Sequence, residues 1–323
     1  MGDKPEIVTA YPNAEPKSQE QNLPGSERNM EPLAEHTKLE KWDNNGKPYL
    51  EEYIGSGKLK NKSVLITGGD SGIGKSVAIF AAREGAHITI AYLPNEQEDA
   101  ENSKTRIEKE GRQCLLVPGD LMKDADCKKT VDEHVKKYGQ IDVLVNNASK
   151  QIQCKDLADI EPDNVRSTFM SNIVSMIVLT KYALPHMMRG STIVNSTSVT
   201  VSLVYGLKEL QIQAIIPLLA GLQRLSCHAR LLIYERRYLH IYLISKGIRV
   251  NAVAPGPVYT PLQPASRDDQ QMESWGIGEI PLHGRVAQPA ELGAAYIFLA
   301  SADSNVMTGG IIHINSGQHV GGS

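Results

Sequence analysis

The sequence predicts an α/β fold: one doubly wound parallel sheet with helices on both faces. Three observations point there. From Lys60 onward, short β-rich apolar runs alternate with helical stretches, the order that βαβ units produce. The first run, SVLITGG, ends in glycines that lead directly into a helical pattern, so a tight turn joins strand to helix. No internal repeat at a solenoid period interrupts the alternation. That leaves a single domain, residues 58–323, behind an N-terminal arm, residues 1–57.

The arm is rich in Pro, Glu, Lys, Asn and Gln without a sustained period, and is expected to be flexible, with a short ordered piece near LEKWDNNGKPYLEEYIG. SVLITGG is the first strand. GKSVAIFAAREGA follows as a helix with Ile73, Val77, Phe80 and Ala81 on one face, and Gly85 closes it as a C-terminal cap. HITIAYL and CLLVPGDL are the second and third strands, CKKTVDEHVKKYGQ an amphipathic helix, and IDVLVNNAS the fourth strand. A helix containing FMSNIVSM and a buried strand, TIVNS, come next; after a gap, GIRVNAVAPG (strand), PAELGAAYIFLAS (helix) and GGIIHIN (strand) complete the series.

Composition removes several function classes. Hydrophobic residues at 41% and charged residues at 22% are ordinary for a soluble protein, and a net charge of -3 gives no electrostatic case for nucleic acid or an anionic membrane. The start, MGDKPEIVTAYPNAEP, has no apolar stretch for a signal peptide and is too acidic for a transit peptide. The longest apolar run, Ile212 to Leu222, is broken by Gln213 and Pro217 and is too short to span a bilayer. Cys114, Cys127, Cys154 and Cys227 form no CxxC pair and have no histidine at ligand spacing, so reduced thiols and no metal are expected. The expected location is the cytoplasm, and the expected partner a small-molecule substrate.

TGGDSGIG, Thr67 to Gly74, sits between the first strand and its helix. A glycine turn there lets backbone N–H groups approach a pyrophosphate at a helix N-terminus, where the dipole favours negative charge. This is the Rossmann-type placement for nucleotide binding.

TGxxxGxG, the NNAS after the fourth strand, the serine after the fifth and PGPVYT after the sixth together resemble the short-chain dehydrogenase/reductase family. TGGDSGIG, VAPGPVYTPLQP, EIPLHGR and SADSNVMTGG are similar to its glucose/ribitol-dehydrogenase-like branch. The resemblance spans about residues 57 to 317, apart from about 201 to 240. It implies that Gly68, Ser71, Gly72, Ile73 and Gly74 line the pyrophosphate, and that Asp120 meets the adenine amino group. Asn147 and Ala148 would hold the adenosine-side ribose region and the central sheet, and Val258 and Thr260 would contact the nicotinamide carboxamide. Tyr92 stands at the end of the second strand, where an acid would accept bonds from a free 2′-hydroxyl and repel a 2′-phosphate. With Lys75 adding positive charge beside the turn, the expected cofactor is NADP(H), NAD(H) being the alternative. A homo-oligomer is implied if one altered helix permits it.

In that family a tyrosine moves the substrate proton, a lysine one helical turn later lowers its pKa, a serine polarises the carbonyl, and an asparagine supports a water chain to the lysine. Asn172 and Ser198 match the asparagine and the serine. The tyrosine and lysine belong near Gln211 and Ile215, about thirteen and seventeen residues after Ser198, and neither residue type is there. Tyr205 and Lys208 are three apart and too near Ser198. Tyr242 and Lys246 satisfy YxxxK as a string but abut the sixth strand, so the match is read as coincidence.

Residues 201–245 hold eleven leucines and two acids, Glu209 and Glu235, with Pro217 where one continuous helix belongs, which reads as sequence foreign to the fold. An internal proline costs a helix roughly 3 kcal/mol. The expected function is oxidoreduction of a small carbonyl or alcohol, a sugar or polyol among them, with at most traces of activity in this chain. The alternative is a dinucleotide-binding protein without turnover. QPASRDDQQMESWGIGEIPLHGR is a candidate lid, with Met272 and Trp275 as its apolar contacts.

Overall fold

The computed structural model describes residues 7–154, 156–199 and 243–318. Tyr205, Lys208, Gln211, Ile215 and Tyr242, with all of the segment 201–245 except its last three residues, lie outside the described residues.

Seven strands form one parallel sheet in the order β5-β4-β3-β6-β7-β8-β9: β3 (Ser63–Thr67), β4 (His87–Tyr92), β5 (Cys114–Pro118), β6 (Val143–Asn146), β7 (Thr192–Ser196), β8 (Arg249–Pro255) and β9 (Ile311–Ile314). The chain winds outward from β3 in one direction and restarts at β6 in the other, so the strand order reverses between β3 and β6. A crevice opens at such a switch point, outside the carboxyl ends of the strands.

Both faces are covered because neighbouring side chains on a strand point to opposite sides. Val64 and Ile66 of β3 pack with Val77 and Phe80 of α1 (Gly72–Arg83), with Ile107 of α2 (Gln97–Lys109) and with Leu292 and Tyr296 of α6 (Pro289–Ala300). Leu65 packs on the other face with Cys127 and Val131 of α3 (Asp124–Tyr138) and Leu179 of α5 (Ser175–Ala183). Gly85, at φ +96°, takes the left-handed position just beyond the end of α1. The helix α2 carries only Ala100, Ser103 and Ile107 with Asp99 inward, so its apolar stripe is thin and the sequence left it unassigned.

The arm is more ordered than expected, beyond the piece anticipated near LEKWDNNGKPYLEEYIG. From residue 7 it is laid against the body, and its LEKW and PYLEE stretches pair as an antiparallel hairpin, β1 (Lys38–Trp42) with β2 (Pro48–Glu52). Its anchors are many, and they include two tyrosines. Tyr53 stacks on the core ring of Phe80 with centroids 4.0 Å apart. Tyr11 is buried under the Arg285 guanidinium, 4.7 Å from the ring centroid, and donates to the Lys38 carbonyl. Arg285 in turn bonds Glu40 at 2.9 Å and Glu291 at 2.8 Å. A polar composition concealed these contacts, because each anchor's partner lies far away in sequence. No helix among the described residues is long and apolar enough to cross a membrane.

Candidate active site

The glycine turn is built by the close approach of three segments. β3 ends at Thr67, whose hydroxyl accepts from the N–H groups of both Asn147 and Ala148 at 2.9 Å. Asn147 donates through Nδ2 to the carbonyls of Thr67 and Gly68, and its Oδ1 accepts from Ser196, so one side chain ties the turn to β6 and β7. Gly72, the first residue of α1, has φ +51°, and a Cβ there would lie 3.1 Å from Thr260. Glycine is therefore required both by backbone conformation and by the chain that crosses it. Gly74 does not line the crevice as expected. A Cβ on it would sit 2.0 Å from the Gly68 carbonyl oxygen, so its role is to let α1 close onto the turn.

A cleft of about 400 Å³ opens over this turn. Gly68, Ser71, Gly72 and Ile73 of the turn line it, together with Tyr92, Asp120, Asn147, Ala148 and Thr260. A second cleft of about 350 Å³ continues from Ile73, Asn147 and Thr260 to Val258, Asn172 and Ser198. Together they form one groove along the carboxyl ends of the strands. Ten of the sequence-predicted positions for cofactor binding, all but Gly74, line it, as do both Ser198 and Asn172.

Several of these residues have engagements that the sequence did not reveal. One oxygen of Asp120 accepts from Met122 N–H at 3.0 Å, capping a turn. Tyr92 donates to Gln97 at 2.5 Å. Val258 bridges to Ala287 beside β8. Asn172 lies in a wide helical turn, Met170–Val174, between α4 (Pro162–Phe169) and α5. Such π-turns re-aim side chains within a helix. Its Oδ1 accepts from Lys150 N–H at 2.7 Å and its Nδ2 donates to the Lys150 carbonyl at 2.8 Å. Both ends of the amide thus fix the segment after β6. Trp275 lines the groove beside Ser198, with the Arg267 guanidinium 4.5 Å above its ring, whereas Met272 is a core residue packed with Tyr259, Ile280 and Val286.

The charge around the turn also differs from expectation. Lys75 is buried, which lowers its pKa against the pull of Glu27, and its neighbours include Asp99 and Asp70. Its charge is matched inside the protein instead of being presented to the groove. Glu27, from the arm, accepts from Gly72 N–H at 2.8 Å and pairs with His36 at 2.8 Å. Burial opposes its charge, but His36 and Lys75 outweigh burial and hold the carboxyl at about 2. Asp70 and Glu96 line the groove and are pushed the other way. Burial raises Asp70 to about 6, and burial with the nearby Asp70 charge raises Glu96 to about 8. The pair retains a proton near neutrality. Asp70 Oδ1 is buried without a hydrogen-bond partner. Leu23 and Pro24 of the arm are groove residues that no motif in the sequence announced, and Asp70, inside TGGDSGIG, had no role assigned to it.

Lys246 stands just before β8, whose opposite end leads to Gly256 in the groove. Seven strand residues, at about 3.3 Å each, put roughly 20 Å between them. Among the described residues that line the groove around Ser198 there is no tyrosine.

Two family models match the chain: short chain dehydrogenase over residues 62–207, and Enoyl-(Acyl carrier protein) reductase over residues 231–319. The stretch 208–230 between them falls inside the segment read as foreign. Uncharacterized oxidoreductase YhdF of Bacillus subtilis is 43% identical over 84% of this chain and 88% of its own. Glucose and ribitol dehydrogenase of Daucus carota is 36% identical over 95% and 98%. NADPH-dependent aldehyde reductase 1, chloroplastic, of Arabidopsis thaliana is 37% identical over 82% and 89%. Among solved structures, the NADH-dependent reductase A1-R' responsible for alginate metabolism superposes with TM-score 0.67 at 28% identity, covering 82% of this chain and all of the other. A seven-stranded parallel sheet, a glycine turn at its switch point and relatives matched along nearly their whole length agree on one conclusion: the chain belongs to the short-chain dehydrogenase family.

Proposed function

We propose that the groove binds a nicotinamide dinucleotide extended from Tyr92 and Asp120, across the glycine turn, to Ser198, and that the chain is an oxidoreductase for a small carbonyl or alcohol, with sugars and polyols the first candidates. The observation that carries this reading is the continuity of the two clefts along the carboxyl ends of the strands, with the turn midway. The residues present fit such a group. The turn has no side chain at Gly68 or Gly72 to block close approach, the start of α1 beyond Gly72 (whose own N–H is taken by Glu27) favours an anion, and the unpartnered Asp70 Oδ1 is an acceptor suited to a ribose hydroxyl.

NADP(H) is the preferred form and NAD(H) the alternative. Tyr92 replaces the acid that would repel a 2′-phosphate, and Glu96 keeps its proton near neutrality, so a carboxyl is present there without its charge. Relatives of both kinds support keeping both: one is named for NADPH and one for NADH.

When bound, the nicotinamide supplies or accepts a hydride. The chain's own contribution begins with Ser198, whose hydroxyl would donate to the substrate carbonyl oxygen and polarise it. Asn172 holds the Lys150 segment that forms the side of the same cleft. Delivery of the proton needs a general acid poised near neutrality. Gln211 stands about thirteen residues after Ser198, where the family's tyrosine belongs, and Lys246 is at the wrong end of β8. These two positions support the second reading, dinucleotide binding without ordinary turnover, for the chain as written. A cytoplasmic location and a homo-oligomer belong to the same proposal.

Fluorescence titration with NADPH and NADH, followed by an absorbance assay against aldehydes, sugars and polyols, tests both readings. Binding with turnover supports the enzyme, binding without turnover supports the second reading, and no binding of either nucleotide rejects the site.

A further inference from the structure

The N-terminal arm crosses the mouth of the groove, and it is bonded to three different walls. Gln21 N–H donates to the Pro264 carbonyl at 2.9 Å, on the loop after β8. At Gly25, φ +89°, a Cβ would lie 2.5 Å from the Pro261 oxygen, so the arm's backbone rests directly on that loop. Ser26 Oγ and Glu27 N–H donate to Asp99 Oδ2 at 2.8 and 3.0 Å, reaching the first turn of α2. The Glu27 carboxylate then receives Gly72 N–H at the glycine turn. Between these anchors Leu23 and Pro24 line the same cleft as Tyr92 and Glu96. Leu23 is still 38% exposed, an apolar side chain at the mouth of a cleft, where a molecule lying in the groove would cover it.

We infer that the arm is part of the dinucleotide-binding site. Leu23 and Pro24 roof the adenosine–pyrophosphate half, Glu27 holds the glycine turn in shape from behind, and the strap between Gln21 and Glu27 must lift for the nucleotide to leave. This rests on the reading of the groove given above. Its consequence is kinetic: the roof adds apolar contact that is made only with the bound nucleotide and must be broken before release, so it lowers the dissociation rate more than it raises the association rate.

The test uses the full chain and NADPH as the probe. For Leu23→Ala combined with Pro24→Ala, the expected result is a dissociation constant about five- to tenfold higher, carried by a faster dissociation rate in stopped-flow displacement. A second measurement needs no variant. Lys17 and Arg28 are exposed and flank the strap, so trypsin cleavage after them should slow several-fold when NADPH saturates the unaltered protein. A double variant with the unaltered protein's dissociation constant and rate overturns the proposal, and so does cleavage that NADPH leaves unchanged. If the unaltered chain binds no nicotinamide dinucleotide at all, the reading of the groove fails and takes the roof with it. If it binds and the roof variants are silent, only the roof is wrong.

Discussion

Replacing Gly72 by valine attacks the groove at its tightest point. The backbone there is at φ +51°, and the first added carbon would lie 3.1 Å from both Cβ and Cγ2 of Thr260. A side chain in the left-handed region costs about 1–2 kcal/mol, and forcing branched methyls into occupied space adds about 1–3 kcal/mol. The turn has a cheap way to relieve this strain: it shifts away from Thr260, taking Gly72 N–H from Glu27 and the neighbouring Ile73 N–H from the line of the phosphates. A hydrogen bond to a charged oxygen is worth about 1.5–3 kcal/mol, so losing the one from Ile73 weakens binding by about 10- to 150-fold. The expected result for Gly72→Val is an NADPH dissociation constant at least about tenfold higher. Gly72→Ala should fall between it and the unaltered chain. The sheet should survive, because the β3, β4 and β6 pairings end at Thr67, Ala91 and Val145, short of the turn. Fluorescence titration and a thermal melt followed by circular dichroism measure the two effects separately. A cooperatively folded Gly72→Val protein that binds NADPH as the unaltered chain does would show the glycine turn to be structural only.

Three further outcomes follow from the same geometry. The chain as written should show at most traces of carbonyl reduction, and a family-like segment with tyrosine about thirteen residues after Ser198 and lysine four later should restore it, since general acid catalysis contributes about 10² to 10⁴ in rate; ordinary turnover that Tyr242→Phe abolishes would reverse this. NADPH affinity should fall as pH rises above neutrality, because burial and the nearby Asp70 charge raise the Glu96 pKa, so the pair holds a proton at lower pH and adds negative charge to the proposed 2′-phosphate end of the groove when it is lost; NADH should show a flatter profile, and Glu96→Gln should flatten that of NADPH, so parallel profiles for the two nucleotides count against the assignment. Arg285→Met leaves two carboxylates, Glu40 and Glu291, without the buried guanidinium between them and should cost about 3–5 kcal/mol in denaturant unfolding; a loss below about 1 kcal/mol would mean that the arm is not held there.

What the sequence disclosed follows from how local each signal is. A strand buried on both faces writes itself into five consecutive residues, as Ser63–Thr67 does, and a glycine forced by φ and by a neighbour 3 Å away leaves a fixed spacing. The arm left no such trace. Its order depends on Tyr11 meeting Arg285, Tyr53 meeting Phe80 and Glu27 meeting Gly72, pairs that stand 27 to 274 residues apart and show no pattern within a window. The same holds for electrostatics. Lys75 beside the turn looked like positive charge for a phosphate, yet Glu27 from the arm takes up that charge from 48 residues away. Gly74 was expected to line the pyrophosphate, yet a Cβ on it would meet the Gly68 carbonyl, since a one-dimensional motif cannot separate a glycine that clears a ligand from one that clears the backbone.

The YLISK string shows why order along a strand matters more than a match of letters. In a parallel sheet every strand runs the same way, so all the chemistry that serves one groove must lie at the carboxyl ends. Ser198 follows β7, Val258 and Thr260 follow β8, and Asn147 follows β6, each just past the end of its strand. Lys246 precedes β8 instead. Its neighbour Leu243 packs with Ile141, Leu144 and Ile193 in the core cluster on the α3–α5 face, and the Ser245 carbonyl accepts from Arg189 before β7. To bring Lys246 into the groove, β8 would have to slide by its full length, breaking its register with both β7 and β9. A one-residue slip already exchanges the two faces of a strand, so a seven-residue slip would dismantle the core. Lys246 therefore brings no charge to Ser198, and the position about thirteen residues after that serine, where the family resemblance expects the tyrosine, holds Gln211.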